Sequence, residues 1–285
     1  LLTQSARILP ASLDPSPDSR QKSGVSERTE LALPDETTGL PRALRRTLRL
    51  ALISSWTTIV VLQARLRGLP AEGSHVRSLQ HWAHGARRIL GVDYQVVHGA
   101  PPGERRARLV VANHRTPLDI IPLTTLFGGH FLANHKTRGA PVIGGAAELV
   151  GTIFVDREDK RSGANAIRQM RRLLEEQRTV IVFPEGTTHG GDEVRPFQRG
   201  AFLAAKGLDV EVVPVGLAYP EGTEFVDPSL GQHARRFLSR PRTPTWISIG
   251  DPLPGDSVVR DEEAVRARVQ ELVNLSRRSA KSGAP

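Results

Sequence analysis

The chain has 285 residues, no cysteine, a formal charge of +9, and 39% hydrophobic but only 5% aromatic residues. A cysteine nucleophile, a disulfide framework and a thiolate metal site are therefore excluded, while a core of Leu, Val, Ile and Ala is allowed. The positive balance favours an anionic partner, whether nucleic acid, a phosphorylated substrate or an anionic lipid surface, without choosing among them.

Residues 1–41 are rich in Ser, Pro, Asp and Glu and show no apolar run of the kind that opens a signal peptide; they read as a disordered tail. A basic opening, Arg42, Arg45, Arg46 and Arg49, leads into the uncharged stretch Leu50–Ala64, closed by Arg65 and Arg67. That stretch is shorter than the roughly 20 apolar residues of a bilayer span and includes Ser54, Ser55, Thr57, Thr58 and Gln63. It predicts a helix lying in the membrane interface, with Trp56 at headgroup depth and the arginines reaching lipid phosphates. A buried helix flanked by charges would show the same pattern. A second helix is expected over Ser74–Leu90, with Trp82, Ile89 and Leu90 against the first, so that residues 42–90 form a membrane-associating helical pair.

From Asp93 the pattern changes. Short β-rich runs at Tyr94–Val97, Arg108–Ala112, His130–Ala133, Thr152–Val155, Thr179–Phe183, Val210–Val215 and Thr245–Ile249 alternate with helical stretches at Pro117–Leu126, Ala164–Gln177 and Gly200–Lys206, and a last helix covers Asp261–Ser276. This predicts an α/β domain over residues 91–278, a mainly parallel central sheet flanked by helices, with residues 279–285 as a tail. Pro214, inside Val212-Val213-Pro214-Val215, argues that its strand is an edge or irregular strand. Functional groups in such sheets gather on loops past the carboxyl ends of the strands.

Three strand ends carry chemistry-bearing residues. After Ala112 comes Asn113-His114-Arg115-Thr116-Pro117-Leu118-Asp119, in which Asp119, one turn into the next helix, can hold one ring nitrogen of His114 and leave the other as a base. A satisfied loop histidine beside a helix-start carboxylate reads equally well from these residues alone. After Val155 comes Asp156-Arg157, an arginine placed to hold a phosphate or to form a surface ion pair. After Phe183 comes Pro184-Glu185-Gly186-Thr187-Thr188, a turn that would expose its carboxylate and its backbone N–H groups.

Together these blocks resemble the glycerolipid acyltransferase family, the lysophosphatidate acyltransferase-like enzymes, over roughly His81–Leu253. Asn113-His114 through Asp119 is similar to the family's NHxSxxD block, with Thr116 for Ser. Gly151 through Arg157 is similar to its second block, Phe183-Pro184-Glu185-Gly186-Thr187 to its third, and Phe197-Gln198-Arg199-Gly200 followed by Val213-Pro214-Val215 to its last. The resemblance implies an O-acyltransferase that moves a fatty acyl group from acyl-CoA or acyl carrier protein to a lysolipid hydroxyl, with 1-acyl-sn-glycerol-3-phosphate as the expected acceptor. His114 is the implied base and Asp119 its orienter. Thr116 and the turn at Gly186 and Thr187 are candidate donors to the oxyanion, and Arg157 and Glu185 are implied in acceptor binding. No metal or cofactor is expected, since the thioester is a co-substrate. One departure stands out: the family's third block ends in Arg where this chain has Thr188. Either Arg157, Lys136, Arg195 or Arg199 holds the phosphate, or the acceptor lacks it, as in the branch acting on lyso-ornithine lipids. The implied partners are membrane lipids, the lysolipid and the acyl donor, on the cytoplasmic face of a bacterial inner membrane, peripheral or monotopic; the oligomeric state is left open. A nucleic-acid binder is disfavoured by the dispersed aromatics, and a non-catalytic lipid-binding homologue by the intact His114 and Asp119. A P-loop or dinucleotide-binding enzyme lacks its glycine motifs.

Overall fold

The computed structural model describes residues 41–66, 74–103, 106–139, 144, 147, 151–226 and 229–282. The tail assigned to residues 1–41 lies, apart from Pro41, outside these residues, as do Arg67 and residues 283–285. Two helices come first, α1 (Arg42–Leu66) and α2 (Ser74–Leu90). They pack through two indoles: Trp56 Nε1 donates to the Trp82 carbonyl at 3.0 Å, and Trp82 Nε1 to Thr57 Oγ1 at 3.0 Å. Gly85 makes this approach possible, because a Cβ there would sit 2.2 Å from the Trp56 ring. Gly85→Val is therefore expected to pry α1 from α2 at a cost of about 1–3 kcal/mol, read by thermal unfolding and by the tryptophan emission of the pair.

Two sequence expectations for α1 are corrected. Trp56 is turned inward onto α2 rather than outward. Arg45 and Arg49 are turned to the protein itself, where Arg45 Nη1 donates to the Ser239 carbonyl at 3.0 Å and Arg49 Nη2 to that of Pro241 at 2.6 Å. Cations suit that place because unsatisfied carbonyls gather at the carboxyl end of a helix. Burial and the neighbouring Arg45 lower the pKa of Arg49 below the ordinary arginine value. The outward stripe is apolar instead: Leu44, Leu48, Leu52, Ile59, Leu62 and Leu66 are exposed at helical spacing. With 25 residues, α1 is long and apolar enough to cross a membrane by length and composition.

The remaining elements, in chain order, are β1 (Val92–His98), β2 (Arg108–Ala112), α3 (Ile120–Phe127), β3 (His130–Asn134), β4 (Ile153–Val155), α4 (Lys160–Glu175), β5 (Thr179–Val182), α5 (Gly200–Leu203), β6 (Glu211–Ala218), α6 (Leu230–Ser239), β7 (Thr243–Ile249), β8 (Leu253–Pro254), α7 (Gly255–Arg260) and α8 (Glu262–Ser282). The strands form one sheet in the order β1-β7-β6-β2-β5-β3-β4, with β8 beside β6. From β6 to β4 every pairing is parallel; β7 and β8 run antiparallel to β6. The mainly parallel sheet expected from the alternation is present.

Alternate residues of the central strands enter opposite cores, which is why these runs are apolar throughout. Leu109, Val111, Val180, Val182 and Val212 face α4, α5, α7 and α8 through Met170, Leu174, Phe202, Val258 and Val269. Val110, Ala112, Ile181, Val213 and Val215 face α2 and α3 through Leu79 and Leu123. Of the two readings of Pro214, the edge strand is corrected, since β6 lies inside the sheet with Pro214 opposite Val111 of β2, while the irregular strand is met. Proline is accommodated because β8 pairs at Glu211 and Val212 while β7 pairs only from Val215 onward. The missing N–H falls at the handover between the two, where the Pro214 carbonyl accepts from Gly250 N at 2.9 Å.

The structure adds α6, α7 and β8 to the expected elements. It also extends the last helix to Ser282, into the stretch read as a tail.

Candidate active site

The carboxyl ends of β2, β3, β4, β5 and β6 share one edge of the sheet, and each delivers residues to it. β2 is tied down as the chain leaves it: Asn113 Nδ2 donates to the Leu217 carbonyl at 3.0 Å and Asn113 Oδ1 accepts from Leu217 N at 2.8 Å. His114 follows. The chain then turns through a short 3-10 helix, Pro117–Asp119, capped by Thr116 in a capping box, which returns the Asp119 carboxylate to the imidazole.

His114 Nδ1 lies 2.7 Å from Asp119 Oδ2. A carboxylate flanked by N–H donors accepts, so Nδ1 carries the proton and Nε2 keeps its lone pair. Nε2 has no partner among the described residues. Asp119 is completely buried and its Oδ2 also accepts from the backbone N–H of Arg115 at 2.8 Å and of Thr116 at 3.1 Å. Its Oδ1 accepts from the Tyr219 hydroxyl at 2.6 Å. Burial first, and the negative charge of Asp119 second, push the Tyr219 phenol well above its ordinary pKa, so it remains a proton donor. The imidazole is stacked on Phe183 with centroids 4.1 Å apart and planes at 10°. The pair is thus oriented from beneath and from one side, with one nitrogen open.

Glu185 differs from its sequence expectation. The turn does not expose the carboxylate, which is buried and fully engaged: Oε1 accepts from His114 N at 2.8 Å and Arg115 Nη1 at 2.9 Å, and Oε2 from Arg195 N at 3.0 Å. Arg115, only 2% exposed, neutralises it and also donates to the carbonyls of His114, Gly191 and Glu193. This ion pair fastens the His114 loop to the loop after β5, with no oxygen left for an acceptor. Thr116 is likewise taken up internally. It is buried, and its hydroxyl lies 2.9 Å from His233 Nε2, while Arg236 Nη2 approaches His233 Nδ1 at 3.3 Å. Since arginine only donates, Nδ1 accepts and Nε2–H donates to Thr116. In the turn itself, Gly186 N donates to the Phe183 carbonyl at 3.0 Å, which leaves Thr187 exposed, its amide and hydroxyl without partners among the described residues.

The four cations named as phosphate holders separate. Arg195 pairs with Glu193 at 3.7 Å and Arg199 with Glu262 at 3.0 Å. Arg157 and Lys136 follow adjacent strands and have no ion pair among the described residues. The guanidinium of Arg157 lies against Gly186, where a Cβ would come within 2.9 Å of Nη1, and the backbone there has φ of +87°. Glycine thus serves both the turn and the close approach. Although Arg157 is an exposed residue, partial desolvation of its guanidinium lowers its pKa below the ordinary arginine value. Thr188 donates its hydroxyl to the Phe225 carbonyl at 3.1 Å.

Arg115, Tyr219, His233 and Phe183 were not singled out from sequence. Arg115 and Glu185, opposite charges each three residues past an apolar strand, carried a signal; Tyr219 is 100 residues from its partner and carried none.

A profile of the acyltransferase family matches residues 96–218. A lyso-ornithine lipid O-acyltransferase of Pseudomonas aeruginosa is 32% identical over 236 residues, which cover 79% of this chain and 86% of that protein. A 1-acyl-sn-glycerol-3-phosphate acyltransferase of Neisseria meningitidis serogroup B is 29% identical over 182 residues, 63% of this chain and 69% of that one. Among solved structures, the 1-acyl-sn-glycerophosphate acyltransferase of Thermotoga maritima aligns with a TM-score of 0.56 at 22% identity, over 84% of this chain and 98% of that one, a likeness of fold. With the histidine and aspartate held at the mouth of this sheet, and a relative of that identity and extent, the chain belongs to the acyltransferase family.

Proposed function

We propose that the protein transfers a fatty acyl group from a thioester of coenzyme A or acyl carrier protein to the hydroxyl of a lysolipid, with 1-acyl-sn-glycerol-3-phosphate as acceptor and phosphatidate as product. The observation that carries this reading is the open Nε2 of His114 at the same sheet edge as a guanidinium, Arg157, that lies against Gly186 and that no carboxylate of the described residues neutralises. His114 Nε2 takes the proton of the acceptor hydroxyl as its oxygen attacks the thioester carbonyl. The carboxylate of Asp119 stabilises the imidazolium so formed. The tetrahedral intermediate collapses, the carbon–sulfur bond breaks, and the imidazolium returns the proton to the leaving thiolate. Thr187 supplies donors on the open side of the site for the oxyanion. Arg157 holds the acceptor phosphate, with Lys136 at the end of the adjacent strand.

The exposed apolar stripe of α1 supports a seat on the membrane, where an amphiphilic acceptor enters laterally. Extraction through water would cost about 0.8 kcal/mol per buried CH₂. The cytoplasmic face of a bacterial inner membrane is the side on which the acyl donors are made.

A second acceptor, a lyso-ornithine lipid, is favoured by one observation: Thr188 stands where the family's third block has Arg, and its hydroxyl is turned to the Phe225 carbonyl. The deciding experiment offers the purified protein acyl-CoA or acyl carrier protein with lysophosphatidate, lysophosphatidylcholine and lyso-ornithine lipid, and reads products by mass spectrometry. Phosphatidate is the expected main product. Arg157→Ala is expected to raise the KM for lysophosphatidate about 10- to 100-fold, the worth of a charge-assisted contact. Preferential acylation of lyso-ornithine lipid, insensitive to Arg157→Ala, would install the second acceptor instead.

A further inference from the structure

From the geometry around Asp119 we infer that Tyr219 is a positioning residue for the acyl-transfer site, acting through Asp119 on the direction of His114. The inference rests on the proposed role of His114 as base.

The Asp119 carboxylate has donors on both oxygens, but they are unevenly divided. Oδ2 takes the imidazole and two backbone amides, whereas Oδ1 has the Tyr219 hydroxyl as its partner among the described residues. Rotation about the bond from Cβ to a carboxyl group is soft, a broad well rather than three staggered ones. Two amides on one oxygen hold that atom without fixing the plane of the group. The phenol, 2.6 Å away on the other oxygen, fixes the plane and hence the direction in which Oδ2 receives Nδ1.

The phenol is itself rigid. Tyr219 is 1% exposed and directly follows β6, which is parallel to β2, so neighbouring strands supply Tyr219 and His114 at the same edge. Its carbonyl accepts from Arg277 Nη1 of α8 at 2.6 Å, and Arg277 is gripped by Asp192 through two contacts of 2.6 Å. Thr245 of β7 is also buried, and its hydroxyl makes no hydrogen bond among the described residues. The phenol hydroxyl donates to Asp119 and makes no hydrogen bond to the His114 ring, so its effect on the reaction passes through Asp119.

Tyr219→Phe removes the hydroxyl and keeps the ring. Measured on the full chain in detergent or vesicles, well below its melting temperature, this variant is expected to lose about 10- to 100-fold in kcat, the scale of a small misalignment at a reacting group. The KM for acceptor and donor should stay within about twofold. A second readout does not depend on turnover: the low-field proton of His114 Nδ1, identified by its loss in His114→Ala, should broaden or vanish in Tyr219→Phe. In protein carrying 3,5-difluorotyrosine at position 219, which keeps the ring and the bond but alters donor strength, the same resonance should move. Unchanged kcat in Tyr219→Phe, or a His114 resonance indifferent to both replacements, would overturn the assignment. A wild-type protein that acylates no acceptor defeats the proposed function instead, and leaves the resonance measurements to decide the geometry.

Discussion

His114→Ala is expected to lower acyl transfer by about three to four orders of magnitude, near the upper end of what one positioned general base contributes, while leaving the melting temperature almost unchanged. The two halves of this prediction have different origins. Chemically, no other imidazole can substitute. His233, which reaches the same loop from α6, is buried, with both ring nitrogens engaged by Thr116 and Arg236, and His189 enters the site through its backbone, donating to the His114 carbonyl at 3.2 Å. Structurally, the ring is a passenger of the loop. Removing it forfeits the stack on Phe183 and one bond to Asp119, but the carboxylate keeps two amides and a phenol. Steady-state kinetics beside a thermal melt tests both halves; a variant with more than a tenth of wild-type turnover would remove His114 from the role of base.

The second large effect concerns stability. Arg115→Met or Glu185→Gln is expected to cost about 3–5 kcal/mol, because each leaves a buried charge without its partner. Domains of this kind are stable by only about 5–15 kcal/mol, so either variant should unfold at markedly lower denaturant concentration. In many proteins, replacing both members of such a pair restores what either single change loses. Here the double variant should not recover. Arg115 also serves the carbonyls of Gly191 and Glu193, and Glu185 the amides of His114 and Arg195. Those backbone groups are part-buried and would lose their partners, at up to about 1–3 kcal/mol each. Chemical denaturation of the four proteins in a double-mutant cycle checks this; a double variant as stable as wild type would mean the pair is replaceable packing rather than the clamp between two loops.

The middle of the sheet was legible in the sequence because its central strands are buried on both faces and therefore read as unbroken apolar runs. The histidine and aspartate were legible because they lie close in the chain, separated by one capped turn. What was not legible depends on long-range approach. Glu185 looks like an exposed turn residue until Arg115 is set beside it. Thr116 looks like a substrate contact until α6 supplies His233. The α6 segment itself was missed because its inward residues include a histidine among arginines, which reads as polar. Pro214 left edge and irregular strand undecided for a related reason, since whether a strand tolerates a missing N–H depends on which neighbours end beside it.

The last helix has a consequence for how the enzyme comes into being. Arg277 holds the Tyr219 carbonyl and Asp192, and Gln270 receives Val194 N at 2.8 Å, so both loops are braced by a helix that follows every strand in the chain. The edge strand β1 similarly waits for β7, its only partner in the strand order. On the ribosome, α1 emerges ahead of every strand and the α8 brace after them all. The helix with the apolar outer stripe is thus made well before the loops around the His114 pair can be braced, and the site is completed only once α8 has followed the sheet.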